Sequence, residues 1–278
     1  MSGFAADWLA LREPVDHASR NPVQAARMRA HFAGRDTLTI VDLGCGTGSN
    51  LRGLAGDLPP RQHWHLIDGD PALLERAHID LAAWAETARP RGDGLELHRD
   101  GRVIEVSFEQ ADLTVRDLDF SDVGAELVTA AALFDLVSED WLERLVARLA
   151  TRKLPLYAVL NYDGEAEWQP AEPLDGRVIA AFNRHQRGDK GFGPALGPAS
   201  SEALAQLLRQ HGYKYGAGTS PWVLGPAHAA LIGALTDGFA QAAGQIEPAR
   251  QAEFASWARV RAAAERVRIG HRDIFGHA

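Results

Sequence analysis

The chain holds a single cysteine, Cys45, which excludes an internal disulfide and any cysteine-rich zinc site. No apolar run approaches the ~18 residues that a membrane span requires, and no charged-then-apolar leader opens the sequence. A cytoplasmic protein with no membrane partner is therefore expected. Basic runs and basic-aromatic stripes are missing too, and 37 acidic against 29 basic residues leave a net charge of −8. Nothing in that pattern follows a phosphate backbone, so no nucleic-acid partner is expected. The eleven histidines are scattered, and His63 and His65 share one strand face without an obvious third ligand, so no metal is expected.

What is present is ample apolar material. With 278 residues and 46% hydrophobic content, the chain can build one large α/β domain, or one domain carrying a cap. Residues 1–36 read as a helical segment, with Trp8, Leu9 and Leu11 before a break at Pro14 and a second amphipathic piece from Ala25 to Phe32. A core over 37–162 follows, with strands at 38–43, 63–67, 103–108, 126–132 and 155–161 and helices near 49–56, 71–89 and 139–150. This alternation predicts a parallel sheet with helices on both faces. Residues 163–278 continue the same domain with helical insertions at about 163–199 and 226–267. Helices are predicted there at 175–186, 200–211, 227–243 and 248–267, and closing strands over Tyr213 to Val223 and Arg268 to Phe275.

The most informative stretch is Val41-Asp42-Leu43-Gly44-Cys45-Gly46-Thr47-Gly48-Ser49-Asn50, a strand end, a glycine turn and a helix start, with Ser49 or Asn50 placed to cap the helix. Glycine there permits positive φ and close approach of a ligand, while free amides at the helix start favour an anionic group. The spacing is G-x-G-x-G. A dinucleotide loop, G-x-G-x-x-G, requires glycine at position 49, where serine stands.

With its leading acid, Asp42 to Gly48 resembles the first motif of the class I S-adenosylmethionine-dependent methyltransferases. Two further acids at strand ends, Asp68 after Leu66-Ile67 and Asp112 after Val106 to Ala111, match the family's next acidic positions. The resemblance covers about two thirds of the chain and implies a Rossmann-like sheet, S-adenosyl-L-methionine as cofactor and S-adenosyl-L-homocysteine as product. It implies that Gly44, Gly46 and Gly48 cradle the cofactor, that Asp68 accepts both ribose hydroxyls and that Asp112 accepts from the adenine amino group. Asp42 would help hold the amino-acid end, or else serve as a structural acid fixing the loop. Asp70 and Pro71 would open the next helix. The polar cluster Arg12-Glu13-Pro14 and Asp16 to Arg20 is placed to fold over the amino-acid end of the cofactor, with Arg20 as its contact.

The fourth strand leads into Ala132-Leu133-Phe134-Asp135-Leu136 and not into the Asn/Asp-Pro-Pro-aromatic segment of methyltransferases acting on base amines. A small-molecule acceptor is expected, held by a monomer or a homodimer. Candidates for a base are Asp135, Tyr162, Asp163 and His185, each with a structural role as its alternative. Arg187, Lys190 and Phe192, in a Gly/Pro-rich loop, are candidate contacts to an anionic acceptor. Trp168, Trp222 and Trp257 are given no role. An oxidoreductase would need the missing third glycine, and a cofactor-binding but catalytically silent subunit stays open on the sequence alone.

Overall fold

The computed structural model describes residues 5–278. Ten strands form one sheet: β1 (Thr37–Leu43), β2 (Arg61–Asp68), β3 (Thr87–Arg91), β4 (Gly94–Arg99), β5 (Arg102–Gln110), β6 (Leu127–Ala131), β7 (Leu156–Gln169), β8 (Lys214–Thr219), β9 (Trp222–Leu224) and β10 (Arg266–His277). Their order is β3-β4-β5-β2-β1-β6-β7-β10-β8, and β9 also pairs with β10. From β5 to β7 all pairings are parallel, while β10 runs antiparallel to β7, β8 and β9. Nine helices occupy the described residues: α1 (Ala6–Ser19), α2 (Pro22–His31), α3 (Ser49–Leu54), α4 (Pro71–Trp84), α5 (Glu139–Arg152), α6 (Asp175–Gln186), α7 (Ser200–Gln210), α8 (Ala229–Ile246) and α9 (Gln251–Arg261). None is long and apolar enough to cross a membrane.

The period of two along each central strand sorts its side chains between the faces. Leu38 and Ile40 of β1 join Met28, Leu51, Leu74 and Leu81 from α2, α3 and α4. Val41 and Leu43 face the other way, onto Trp141, Leu145 and Leu149 of α5 and Leu204 and Leu208 of α7. A third cluster joins α6, α8 and α9 to the far ends of β7 and β10 through Trp168, Phe239, Phe254 and Val267. Local chemistry sets the helix starts. Asp70 accepts from the Ala72 amide at 2.9 Å with Pro71 behind it, and Ser138 does the same for the Trp141 amide at 3.3 Å.

Five expectations need correction. Helix α1 runs through Pro14 instead of breaking there, because contacts from elsewhere hold it: Glu13 receives the Arg52 guanidinium at 2.7 Å and His17 meets the Ser49 carbonyl at 2.9 Å. Helix α4 ends at Trp84, not 89, because residues 85–99 turn into the antiparallel hairpin β3/β4 around Gly92 at φ 56°. The N-cap of α3 is Gly48, with no side-chain cap, so neither Ser49 nor Asn50 fills that place. Strand β7 continues past Tyr162 to Gln169, across the expected boundary, because β10 offers it a partner along that length. The expected strand from Tyr213 to Val223 is two strands, β8 and β9, separated at Ser220-Pro221.

Candidate active site

The site lies beyond the carboxyl ends of β1, β2 and β6, where open α/β sheets bind ligands. Gly44, Gly46 and Gly48 take left-handed φ of 63°, 54° and 76°, which side chains rarely adopt. A Cβ on Gly44 would stand 3.2 Å from Leu133, and one on Gly46 3.2 Å from Leu9 of α1. The turn is therefore pressed between two apolar side chains and leaves its backbone free toward the space between them.

Asp42 lies wholly beneath this turn. One oxygen accepts from Asn50 Nδ2 at 2.6 Å and Thr129 Oγ1 at 2.7 Å, while Oδ2 has no partner among the described residues. Burial raises its pKa to about 6. Its contacts to Asn50 and Thr129 tie the start of α3 to β6. Asp68 accepts the Gly46 amide at 2.8 Å on one oxygen and the Asp70 amide at 2.9 Å on the other. Burial shifts its pKa upward too.

Two cavities meet at the turn. A smaller one of about 50 Å³ lies under α1, against Arg12, Asp16, Arg20 and Asn50. The larger, about 410 Å³, runs from Asp68 and Asp70 past Leu113, Leu133 and Leu136 to Lys190 and Phe192. Leu9, Arg12, Gly44, Gly46 and Ala131 border both. In the smaller cavity Arg20 donates one nitrogen to Asn50 Oδ1 at 2.9 Å, and its Nε and Nη1 are buried without a partner among the described residues. Buried guanidinium N–H groups left unpartnered in this way are expensive unless an acceptor completes them.

The other candidates separate. Lys190 and Phe192 line the larger cavity, Phe192 standing edge-on to Trp141 at 5.4 Å. Arg187 is exposed and lies against Gly197, away from both cavities. His185 does not reach a cavity wall; Nδ1 meets Lys190 Nζ at 3.1 Å and Nε2 meets Gln245 Oε1 at 2.7 Å. Tyr162 is buried and gives its hydroxyl proton to Asn183 Oδ1 at 2.9 Å, and Asp163 accepts the Glu165 amide at 3.1 Å. Asp135 is buried between the cavity residues Leu133 and Leu136, with Oδ1 unpartnered among the described residues and a pKa raised by burial to about 6. Asp112 is exposed and accepts the Thr114 amide at 2.9 Å; its neighbour Leu113, not Asp112, lines the cavity. His63 and His65 pair with Glu105 and Glu109 of the adjacent strand.

Leu9 and Arg12 are site residues that the sequence reading left without individual roles. Their spacing of three places both on one face of α1, with Asp16 a further turn on, a pattern that becomes meaningful only when α1 lies over the glycine turn.

Residues 40–152 match the family model described as a methyltransferase domain. No curated protein matches the chain in sequence. Among solved structures, the YcgJ protein of Bacillus subtilis is 13% identical with a TM-score of 0.51, the match covering 92% of this chain and 98% of that one. Protein BH2331 of Bacillus halodurans C-125 is 10% identical with a TM-score of 0.50, over 92% of this chain and 98% of its own. At such identities the likeness is one of fold, and it extends across the helical insertions. The glycine turn and the sheet order about it fall within the matched methyltransferase domain of residues 40–152, and the chain as a whole shares the fold of these solved structures.

Proposed function

We propose that the chain transfers the methyl group of S-adenosylmethionine to a small-molecule acceptor that carries an anionic group. The observation that carries this reading is the pair of cavities joined at the glycine turn: one offers unpartnered guanidinium N–H groups, and the other runs from the Asp68 and Asp70 carboxylates to an apolar end with Lys190 on its wall. The residues fit the cofactor. Gly44, Gly46 and Gly48 would let its chain lie against the backbone, Asp68 stands where a ribose would dock, and Arg20 would take the carboxylate of the amino-acid end. Asp112, held by the Thr114 amide at the surface, would meet adenine only at the cavity rim.

S-adenosylmethionine brings an already activated methyl donor, so the protein's task is alignment of the acceptor at about 3–3.5 Å and exclusion of water. Leu133, Leu136 and Phe192 exclude water from the larger cavity. Asp135 is the acid best placed to take a proton from an oxygen or nitrogen acceptor: it is buried, unpartnered on one oxygen and within the field of Arg12 and Lys190. Tyr162 and His185, tied up by Asn183 and by Lys190, are supports in this reading. A roomy second cavity favours an enzyme over a silent cofactor-binding subunit. The acidic balance of the chain argues against a nucleic-acid partner.

A thermal-shift titration with S-adenosylmethionine, S-adenosylhomocysteine and NAD tests the reading. Stabilisation by the first two alone is expected, about 2.7 kcal/mol at a hundredfold excess over Kd. A shift with NAD, or none with the sulfur nucleotides, would overturn it.

A further inference from the structure

We infer that the acceptor is a carboxylate with an apolar body, gripped between Arg12 of α1 and Lys190 of the loop after α6, and that His185 and Asp16 are positioning residues for these two cations. The inference rests on the proposed function, with the cofactor's nucleoside at the Asp68 end of the larger cavity and the acceptor at its Lys190 and Phe192 end, and it adds the chemical class of the acceptor and the residues that select it.

Each cation is fixed from behind. Lys190 Nζ lies 3.1 Å from His185 Nδ1, and His185 Nε2 lies 2.7 Å from Gln245 Oε1. An ammonium can only donate, so Nδ1 accepts, and the imidazole carries its proton on Nε2 and donates it to the Gln245 carbonyl. The chain of contacts crosses α6, the loop and α8, and it pins a side chain with four rotatable bonds whose ordering is otherwise costly. Among the described residues no carboxylate pairs directly with Lys190, and the buried Asp135 shares the field of Lys190 and Arg12 without a direct ion pair to either.

Across the cavity, Arg12 Nε lies 3.0 Å from Asp16 Oδ2, and Asp16 Oδ1 accepts the Trp222 indole proton at 2.9 Å. Asp16 is 5% exposed, so both its oxygens are spent on holding one edge of the guanidinium and one indole. Arg12 lines the cavity, and the terminal guanidinium edge that Asp16 does not hold has the two-pronged geometry that matches a carboxylate. The remaining wall of Leu9, Leu113, Leu133, Leu136 and Phe192 has nothing to offer a second polar group. Asp68 and Asp70 at the β2 end of the cavity repel an anion there, so the acceptor's charge is driven toward Arg12 and Lys190. One carboxylate and one apolar body therefore suit the end of the cavity that Arg12, Lys190, Leu133, Leu136 and Phe192 line.

The test uses the full chain loaded with S-adenosylhomocysteine and titrates calorimetrically phenylacetate, 4-phenylbutyrate and octanoate against their neutral alcohols, with phenyl phosphate as a further probe. At least one carboxylate is expected to bind tenfold or more tighter than its alcohol. Lys190→Met should remove that preference while leaving S-adenosylhomocysteine affinity unchanged. His185→Leu should weaken carboxylate binding, and His185→Asn, which keeps an acceptor near the Nδ1 position, should restore it. Imidazole ¹⁵N shifts report on the support independently: Lys190→Met should shift His185 Nδ1 more than Nε2. Absence of carboxylate preference across the panel, its survival in Lys190→Met, or stronger binding of phenyl phosphate would overturn the inference. Failure of S-adenosylhomocysteine itself to bind would instead sink the proposed function.

Discussion

Arg20 shows how much of a site one side chain can define. Two of its guanidinium nitrogens are buried and unpartnered among the described residues, and the third is anchored on Asn50, which in turn holds Asp42 under the glycine turn. Arg20→Met is expected to weaken S-adenosylhomocysteine binding by about 1.5–3 kcal/mol, the value of hydrogen bonds to a charged group. Binding of 5′-methylthioadenosine, which lacks the amino-acid end, should be unchanged in the same calorimetric assay. Equal losses for both would place Arg20 elsewhere than at that end. At this scale the sequence is legible where chemistry is local. The three glycines, Asp68 and the Asp70 cap all stand where the spacing put them, since each acts within a few residues of its own strand. Arg12 and Leu9 were not individually legible, because they meet the glycine turn from a helix more than thirty residues upstream. The partners that occupy both nitrogens of His185 were not legible either, because Lys190 and Gln245 come from a loop and a separate helix.

Helix α1 is the element on which the site most depends, and it is also the one whose local signals mislead. Pro14 supplies no amide to the helix ladder, yet α1 is continuous through it, locked to α3 by Glu13 on Arg52, His17 on Ser49 and Arg20 on Asn50. Gly53 makes the close packing possible, since a Cβ there would stand 2.8 Å from both His17 and Arg20. Tertiary contacts thus outweigh the proline. Pro14→Ala is expected to stabilise α1 by roughly 1–3 kcal/mol, given its exposed position and the restored amide. Hydrogen exchange of the residue 6–19 amides measures this directly, slower exchange confirming it and unchanged exchange showing that the latches alone set the stability of α1. The same competition explains the overlong prediction for α4. Its apolar rhythm runs on toward residue 89, but Pro90, Gly92 and Gly94 build a hairpin that β5 can pair with, and the Cβ that Gly94 lacks would collide with the Val106 carbonyl. The turn signals and the receiving strand, expected at 103–108, were both present in the sequence; that the two would pair was not visible from either.

Over the whole molecule, ionisable groups sealed in the interior set how stability responds to acid. His271 is buried against Trp222 and Tyr162, its ring 5.0 Å and 6.3 Å from theirs, with Arg12 adding a like charge, and burial pushes its pKa down to about 3. Its folded pKa lies below the unfolded value of 6.5, so its contribution is complete above pH 6.5 and is lost as pH falls toward 3. Asp42 and Asp135 act in the opposite sense. Burial lifts each from 3.8 to about 6, so their contribution is complete below pH 3.8 and disappears as pH rises through 6. Between pH 6 and 4 the two acids therefore outweigh the one histidine by about one proton, and from these three groups the native chain should gain about 1 kcal/mol of stability for each unit of acidification. Replacing the histidine removes one side of the balance. The stability of His271→Gln relative to the parent should rise by about 1 kcal/mol for each pH unit between 6 and 4, measured by urea unfolding at pH 7, 5.5 and 4. The variant is expected to be the weaker protein at pH 7, where the parent's neutral imidazole packs without penalty, and to approach or overtake it at pH 4. Parallel curves would mean that His271 takes up its proton in the folded state as readily as in the unfolded chain, and so that the pocket formed by Trp222 and Tyr162 admits water.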